Sequence, residues 1–547
     1  MSRRGVVSAI SRSGWDWASA ILIAALVVLV AATFQDYGIS NDEDVQHRYG
    51  ELLVNFYASG FADRSAFEFK DLFYYGGLFD IAAIPLADLL PFEIYETRHL
   101  LSAGIGILGV VAVWRLGRFL AGARTGFFAA VLLTLTGAWY GGMFNHTKDV
   151  PFAAAMAWGV FFICRLLAEF PKPRPWTAIG FGVALGSSLG IRVGGLLLVV
   201  YAGLAVAIWL FGGNDRPPAR DLVRDTASIS ARLLPAGILA VAIMAFSWPW
   251  AVLDPLNPLR ALEHFSNVKF PIDTILAGQV MRVYDVPASY LPVYFIIKLP
   301  LILLTGLIAS LSYVVYRRLH PAADLPRSSH VQHLGLIVTA VAAGFPIVWF
   351  VADDLPASDG IRHFLFVIPP MAVLAGFGLD RFLIALSLRS RLPARLAAVA
   401  VAGAMLFQAN VLMQLHPYEN VDYNALVGGL AGAQRRYVMD YWANTVPEAT
   451  RALAAKLKAE RSSGARGGPY KVFVCSGRES FVAVAPPYLI WTRRAEEADF
   501  VIASTHMNCD TYVRGKTIYQ VARMGVVLAV VRDRRDMTAG VDPPPRS

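Results

Sequence analysis

The chain has 547 residues; 56% are hydrophobic, only 16% are charged, and the formal net charge is +9. Soluble domains carry about a quarter of their residues as charges, whereas here apolar blocks long enough to cross a bilayer alternate with short charged stretches. These figures exclude a soluble globular enzyme, a disordered chain and a disulfide scaffold, and predict a polytopic α-helical membrane protein.

Arg3, Arg4 and Arg12 precede the first apolar run, Trp17–Phe34. It is too long for a signal peptide and lacks a small-x-small cleavage site, so it reads as a retained helix. Leu100–Leu116, Thr125–Tyr140, Val150–Leu167, Trp176–Leu189 and Val193–Phe211 follow, then Leu233–Leu253, Tyr290–Val315, Leu334–Val351, Phe364–Leu379 and Leu396–Met413. That makes about eleven spans. Clusters at Arg115–Arg124, Arg165–Arg174, Arg216–Arg232, Arg317–Arg327 and Arg381–Arg395 fall on the side of the basic N-terminus, the cytoplasmic side by the positive-inside rule. Reading Trp176–Phe211 as one crossing would put the later clusters outside, so two short helices joined near Gly190–Gly194 are expected. Arginines placed this way signal orientation and not nucleic-acid binding.

Residues 1–415 therefore form a transmembrane domain with a cytoplasmic N-terminus, and 416–547 a small external α/β domain. In the latter a helix is predicted at Thr445–Arg461, with strands at Lys471–Cys475, Tyr488–Trp491, Phe500–Ser504 and Val526–Arg532. Cys475 and Cys509 either pair in an oxidising compartment or remain two thiols; no Cys/His spacing suggests zinc.

Ionisable residues gathered at one face of a membrane protein are functional candidates, and here they gather outside. Asn41-Asp42-Glu43-Asp44 follows the first helix, and His146-Thr147-Lys148-Asp149-Val150-Pro151-Phe152 opens the fourth. The bland alternatives are a solvated acidic loop for the first and a helix-capping aspartate for the second. Asp353, Asp354, Asp359, Arg362 and His363 lie between the ninth and tenth spans, Arg192 at the fifth–sixth break, and Tyr290, Tyr294 and Lys298 lead into the eighth. The arginines, lysines and His363 supply cations for a phosphate. Gly104-Ile105-Gly106-Ile107-Leu108-Gly109 fits GxGxxG but lies inside a span with no preceding strand, and reads as helix-packing glycines.

An Asp-Glu pair after the first helix, a second acid opening the fourth, about eleven spans and an external C-terminal domain resemble the GT-C glycosyltransferases. The similarity is to the bacterial relatives of the protein O-mannosyltransferases and aminoarabinose transferases (family 39-like). It is most specific at Asp42-Glu43 with Tyr49-Gly50-Glu51 and at His146–Phe152; Ile361–Pro369 is similar to a segment in these relatives, and so is His416-Pro417-Tyr418-Glu419-Asn420 with Asp440-Tyr441-Trp442 after it. The resemblance implies an inverting hexosyl- or pentosyltransferase of the bacterial inner membrane. It would move sugar from a polyprenyl-phosphate donor to a glycan, lipid or protein acceptor on the periplasmic face. Asp42 is then the expected base with Glu43 beside it, and Asp149 a second acid. Arg362, His363, Lys148, Arg192 and Lys298 are the expected phosphate ligands, and His146, Tyr290 and Tyr294 the expected substrate contacts. No cofactor is required; a divalent cation held by Asp42, Glu43 and Asp149 is the minority reading. The competing functional class is a transporter or flippase of a lipid-linked or anionic substrate, against which stand ionisable residues at the span ends and the lack of an internal repeat.

Overall fold

The computed structural model describes residues 13–211, 219–267, 272–321, 329–353, 355–463 and 468–536. Arg3, Arg4, Arg12, Arg216, Arg327 and Asp354 lie outside the described residues. Among those described, nine helices are long and apolar enough to cross a membrane, and one bent pair makes up to ten. The spans are α1 (Gly14–Thr33), α4 (Ile94–Ala121), the bent pair of α5 (Ala123–Thr134) with Gly137–Asn145, α6 (Asp149–Glu169), and α8 (Leu196–Phe211). They continue through α9 (Ala219–Ser247), α12 (Leu301–Leu319), α13 (His330–Ala352), α14 (Ile368–Arg389) and α15 (Arg391–Leu415). The fifth predicted span is the fifteen-residue α7 (Pro175–Leu189), and Gly190–Gly195 separates it from α8, so Trp176–Phe211 does form two helices. At the end of the bundle away from Asp42, Asp16 pairs with Arg118 (2.5 Å) and Arg124 with Asp380. These pairs neutralise part of the arginine excess.

The eighth span needs correcting. Tyr290–Val315 is not one helix but α11 (Tyr290–Lys298) followed by α12. Pro300 has no N–H to donate and forces Leu299 into extended backbone, which ends α11. Loops that sequence left irregular also carry structure: α2 (Asn41–Ala58), α3 (Leu78–Leu89), α10 (Asn257–Asn267) and the hairpin β1 (Asp273–Leu276) with β2 (Gln279–Arg282). In α2 the buried residues Tyr49, Leu52, Leu53 and Phe56 recur at helical spacing and make one apolar face.

Beyond the bundle, α16 (Val446–Ser462) and α17 (Arg478–Val484) pack with a five-stranded sheet of order β4-β3-β5-β7-β6. Its strands are β3 (Tyr470–Val474), β4 (Leu489–Thr492), β5 (Phe500–Ser504), β6 (Lys516–Arg523) and β7 (Val526–Asp533). Strand β6 was not predicted; it pairs antiparallel with β7 across Met524-Gly525, where both residues take positive φ. Cys475 and Cys509 are disulfide-bonded.

Candidate active site

Ser40 and Glu43 form a capping box at the start of α2: the Glu43 carboxylate accepts the Ser40 N–H at 2.8 Å. This turns Glu43 inward, fully buried against His99 at 3.3 Å. One residue earlier on the helix, Asp42 points the other way and keeps 41% of its side chain exposed. Asn41 is held from outside the membrane: its amide donates to Ser476 Oγ (2.8 Å) and accepts the Gly477 N–H (3.1 Å). Nearby, Ser480 Oγ accepts from Ile39 N (2.9 Å) and donates to Ile39 O (2.8 Å).

Asp42 meets Arg362, the centre of the site. The Arg362 guanidinium donates Nη2 to Asp42, Nε to Asp149 at 2.9 Å and Nη1 to Asp359 at 3.1 Å, and stacks over Trp442 at 4.1 Å. A planar, five-donor group suits this three-way bridge; an ammonium does not. Asp149, the first residue of α6, gives its second oxygen to Arg192 from the α7–α8 break. Both Asp149 oxygens are engaged and its side chain is 3% exposed, so it anchors the two arginines and leaves Asp42 as the accessible carboxylate.

Lys148 lies over the Tyr75 ring at 3.9 Å, and Arg192 over the same ring at 5.8 Å. Burial lowers the Lys148 pKa to about 8, against the opposing pull of Asp42. A free-enzyme group titrating there shapes kcat/KM. If its ammonium receives the donor phosphate, kcat/KM for donor is full below that pH and falls as pH rises through about 8. Lys148→Arg, which does not titrate in this range, is expected to abolish that limb in a pH–rate profile; an unchanged limb removes Lys148 from donor binding.

Arg192 and His363 sit on the wall of a cavity of about 270 Å³ whose remaining lining is mostly apolar, including Phe152, Leu197, Phe265, Trp349 and Phe366. Arg192 Nε is buried and has no hydrogen-bond partner among the described residues. The Arg192 guanidinium and an apolar chamber thus share a wall beside the Asp42–Arg362–Asp149 cluster.

Five expected site residues have other roles. Glu43 is a capping residue facing His99. Lys298, carried off by the Pro300 break, donates to Asn420 O at 2.5 Å and covers the Tyr423 ring at 4.2 Å. Tyr290 and Tyr294 are fully buried: Tyr290 OH bonds Thr274 (2.7 Å) and accepts the Gly360 N–H (3.1 Å), while Tyr294 OH donates to Ile275 O (2.5 Å). They brace the β1–β2 hairpin and the loop before Arg362. His146 is buried, its pKa lowered to about 4 by that burial, and bonds Tyr441 OH at 3.0 Å. It supports the Tyr441-Trp442 wall. Sequence reading missed Tyr75 and the roles of Trp442 and Asp359 against Arg362.

The donor set does not suit the divalent cation of the minority reading. Glu43 faces away, and a guanidinium occupies the space between Asp42 and Asp149. No group of three His, Cys, Asp or Glu among the described residues is arranged to hold a metal.

Residues 97–216 match the family model for dolichyl-phosphate-mannose-protein mannosyltransferases. That stretch contains Lys148, Asp149 and Arg192. Solved structures similar to the chain include ArnT from Cupriavidus metallidurans bound to undecaprenyl phosphate, at 16% identity, 97% coverage of this chain, 100% of that one, and a TM-score of 0.45. The apo oligosaccharyltransferase of Archaeoglobus fulgidus is similar at 12% identity, with 88% and 69% coverage and a TM-score of 0.45. The arabinofuranosyltransferase AftD from Mycobacteria is similar at 14% identity, with 96% and 42% coverage and a TM-score of 0.43. No curated protein matches the chain significantly.

Proposed function

We propose that this protein is an inverting glycosyltransferase that transfers a sugar from a polyprenyl-phosphate donor to an acceptor hydroxyl at the outer surface of a bacterial inner membrane. The observation that carries the reading is the apolar cavity walled by Arg192 and His363 beside the Asp42–Arg362–Asp149 cluster. A prenyl phosphate has both matching halves: the first isoprene units suit the apolar chamber, and the phosphate suits Arg192, His363 and Lys148. The match of residues 97–216 to a mannosyltransferase family supports the same chemistry.

In the reaction, the acceptor oxygen attacks the anomeric carbon and the bond from that carbon to the phosphate oxygen breaks with inversion. Asp42 takes the acceptor proton. Negative charge that grows on the departing phosphate is met by Arg192 and Lys148, which are in place before the reaction begins. Arg362 orients Asp42 while Asp149 and Asp359 balance its charge. No step passes through a metal or cofactor. Because the acids lie at helix ends and not at mid-span, transport is the weaker reading.

The test is release of free polyprenyl phosphate from a panel of labelled hexosyl and pentosyl donors, with crude envelope lipids and glycans as acceptors, with and without EDTA. Release from one donor class, unchanged by EDTA, is the expected result. Folded protein that releases nothing from any donor overturns the transferase, and loss of release in EDTA overturns the metal-free scheme.

A further inference from the structure

A second cavity, of about 290 Å³, has a mostly polar lining: Asp36, His416, Tyr418, Glu448, Arg451 and Arg523 among others. Its walls come from three places. Asp36 follows the end of α1 and His416 follows the end of α15, while Glu448 and Arg451 belong to α16 and Arg523 to β6. It therefore sits where two spans leave the bilayer at the Asp42 end of the bundle. Below it, both helices present bare apolar flanks: Val27 and Val28 on α1, and Leu406, Phe407 and Met413 on α15, are all exposed.

Most charges in this cavity already have partners. Glu448 accepts from Tyr418 OH at 2.7 Å and from Arg523 Nη2 at 2.7 Å, and Arg523 also donates to His416 O at 3.0 Å. His416 is shared between Asp36 Oδ2 (3.0 Å) and Glu419 (2.8 Å). Two groups of opposite charge keep free hydrogen-bonding capacity. Arg451 is exposed and no partner for it is seen among the described residues, and the same holds for Asp36 Oδ1, on a side chain that is 51% exposed. Both groups line the one cavity, so a ligand matching them carries one anion and one hydrogen-bond-donating cation. An anionic headgroup with no ammonium leaves Asp36 unmatched, and a quaternary ammonium has no N–H to give it.

From this placement and charge pattern we infer that the second cavity is a headgroup site for a phosphoethanolamine-type phospholipid. The phosphate lies on Arg451, the primary ammonium lies on Asp36, and the acyl chains run down the exposed flanks of α1 and α15. A cavity of about 290 Å³ has room for a headgroup, which suits a ligand whose tails stay in the bilayer. The site is separate from the donor cavity and uses none of its residues.

The experiment is native mass spectrometry of the full-length detergent-purified protein titrated with phosphatidylethanolamine, phosphatidylglycerol or phosphatidylcholine of the same acyl chains. Phosphatidylethanolamine is expected to bind preferentially. Arg451→Ala and Asp36→Asn are each expected to weaken it on the order of tenfold, the loss of one charge-assisted hydrogen bond. Release of polyprenyl phosphate stays unchanged in both variants, which shows that they are folded, and Asp36→Asn leaves binding of the other two lipids unchanged. Equal binding of all three lipids, or phosphatidylethanolamine binding that survives both substitutions, overturns the site. Maltotriose binding that is lost in Arg451→Ala, without any lipid preference, overturns it in favour of a carbohydrate pocket.

Discussion

Asp42→Asn is expected to lower turnover on the order of 10²–10⁴-fold, the usual contribution of a positioned general base, with donor affinity little changed. The reason is local. The amide keeps the shape of the side chain and still offers Arg362 an oxygen, so the cluster stays assembled; what disappears is the ability to take a proton. Asp149 cannot substitute, because its two oxygens already hold Arg192 and Arg362. Glu43 cannot either, since it is buried in the cap of α2. Single-turnover kinetics with a saturating labelled donor separate the two effects. Turnover within a few fold of the wild type, at equal donor occupancy, would remove Asp42 from the base role.

Arg362→Ala is expected to do broader damage. Its guanidinium, 11% exposed, is the shared cation of Asp42, Asp149 and Asp359. Removing one partner of a buried ion pair typically costs about 3–5 kcal/mol, and here the buried carboxylate left behind is Asp149, since Asp42 and Asp359 are partly solvated. Against a typical total stability of about 5–15 kcal/mol, that loss is large enough to reduce the yield of folded protein. Arg362→Lys is the sharper variant. It keeps the charge but cannot donate to three carboxylates and lie flat on Trp442 together, so it is expected to fold and still lose most turnover. Thermal unfolding in detergent alongside the release assay reads both. A lysine variant with wild-type turnover would show that charge alone suffices and that the three-way geometry is incidental.

Much of this was legible from the chain, for reasons that differ by residue. The spans follow from composition, since long apolar blocks have few other uses. The separation of α7 from α8 followed from the arginine clusters, which allow only one parity of crossings. Two errors had signals that were present and passed over. Ser40-Asn41-Asp42-Glu43 carries the S-x-x-E pattern of a capping box, which assigns Glu43 to the helix start and singles out Asp42. Leu299-Pro300 carries the extended-backbone preference that breaks a helix, which takes Lys298 away from the site. Other features had no local signal. Trp442 meets Arg362 from 80 positions away, and Tyr75 meets Lys148 from 73 positions away, through contacts that only the assembled fold creates.

The hydrogen bonds from Ser476, Gly477 and Ser480 to the start of α2 carry a consequence for biosynthesis. These residues are translated more than 430 positions after Asn41. A nascent chain can insert every span and still lack the clasp that holds Ile39 and Asn41 at the start of α2. Assembly of the start of α2 is therefore complete only once the domain that carries Ser476, Gly477 and Ser480 has folded against it. Partly made copies in the same bilayer as the donor pool would be poor catalysts of wasteful hydrolysis.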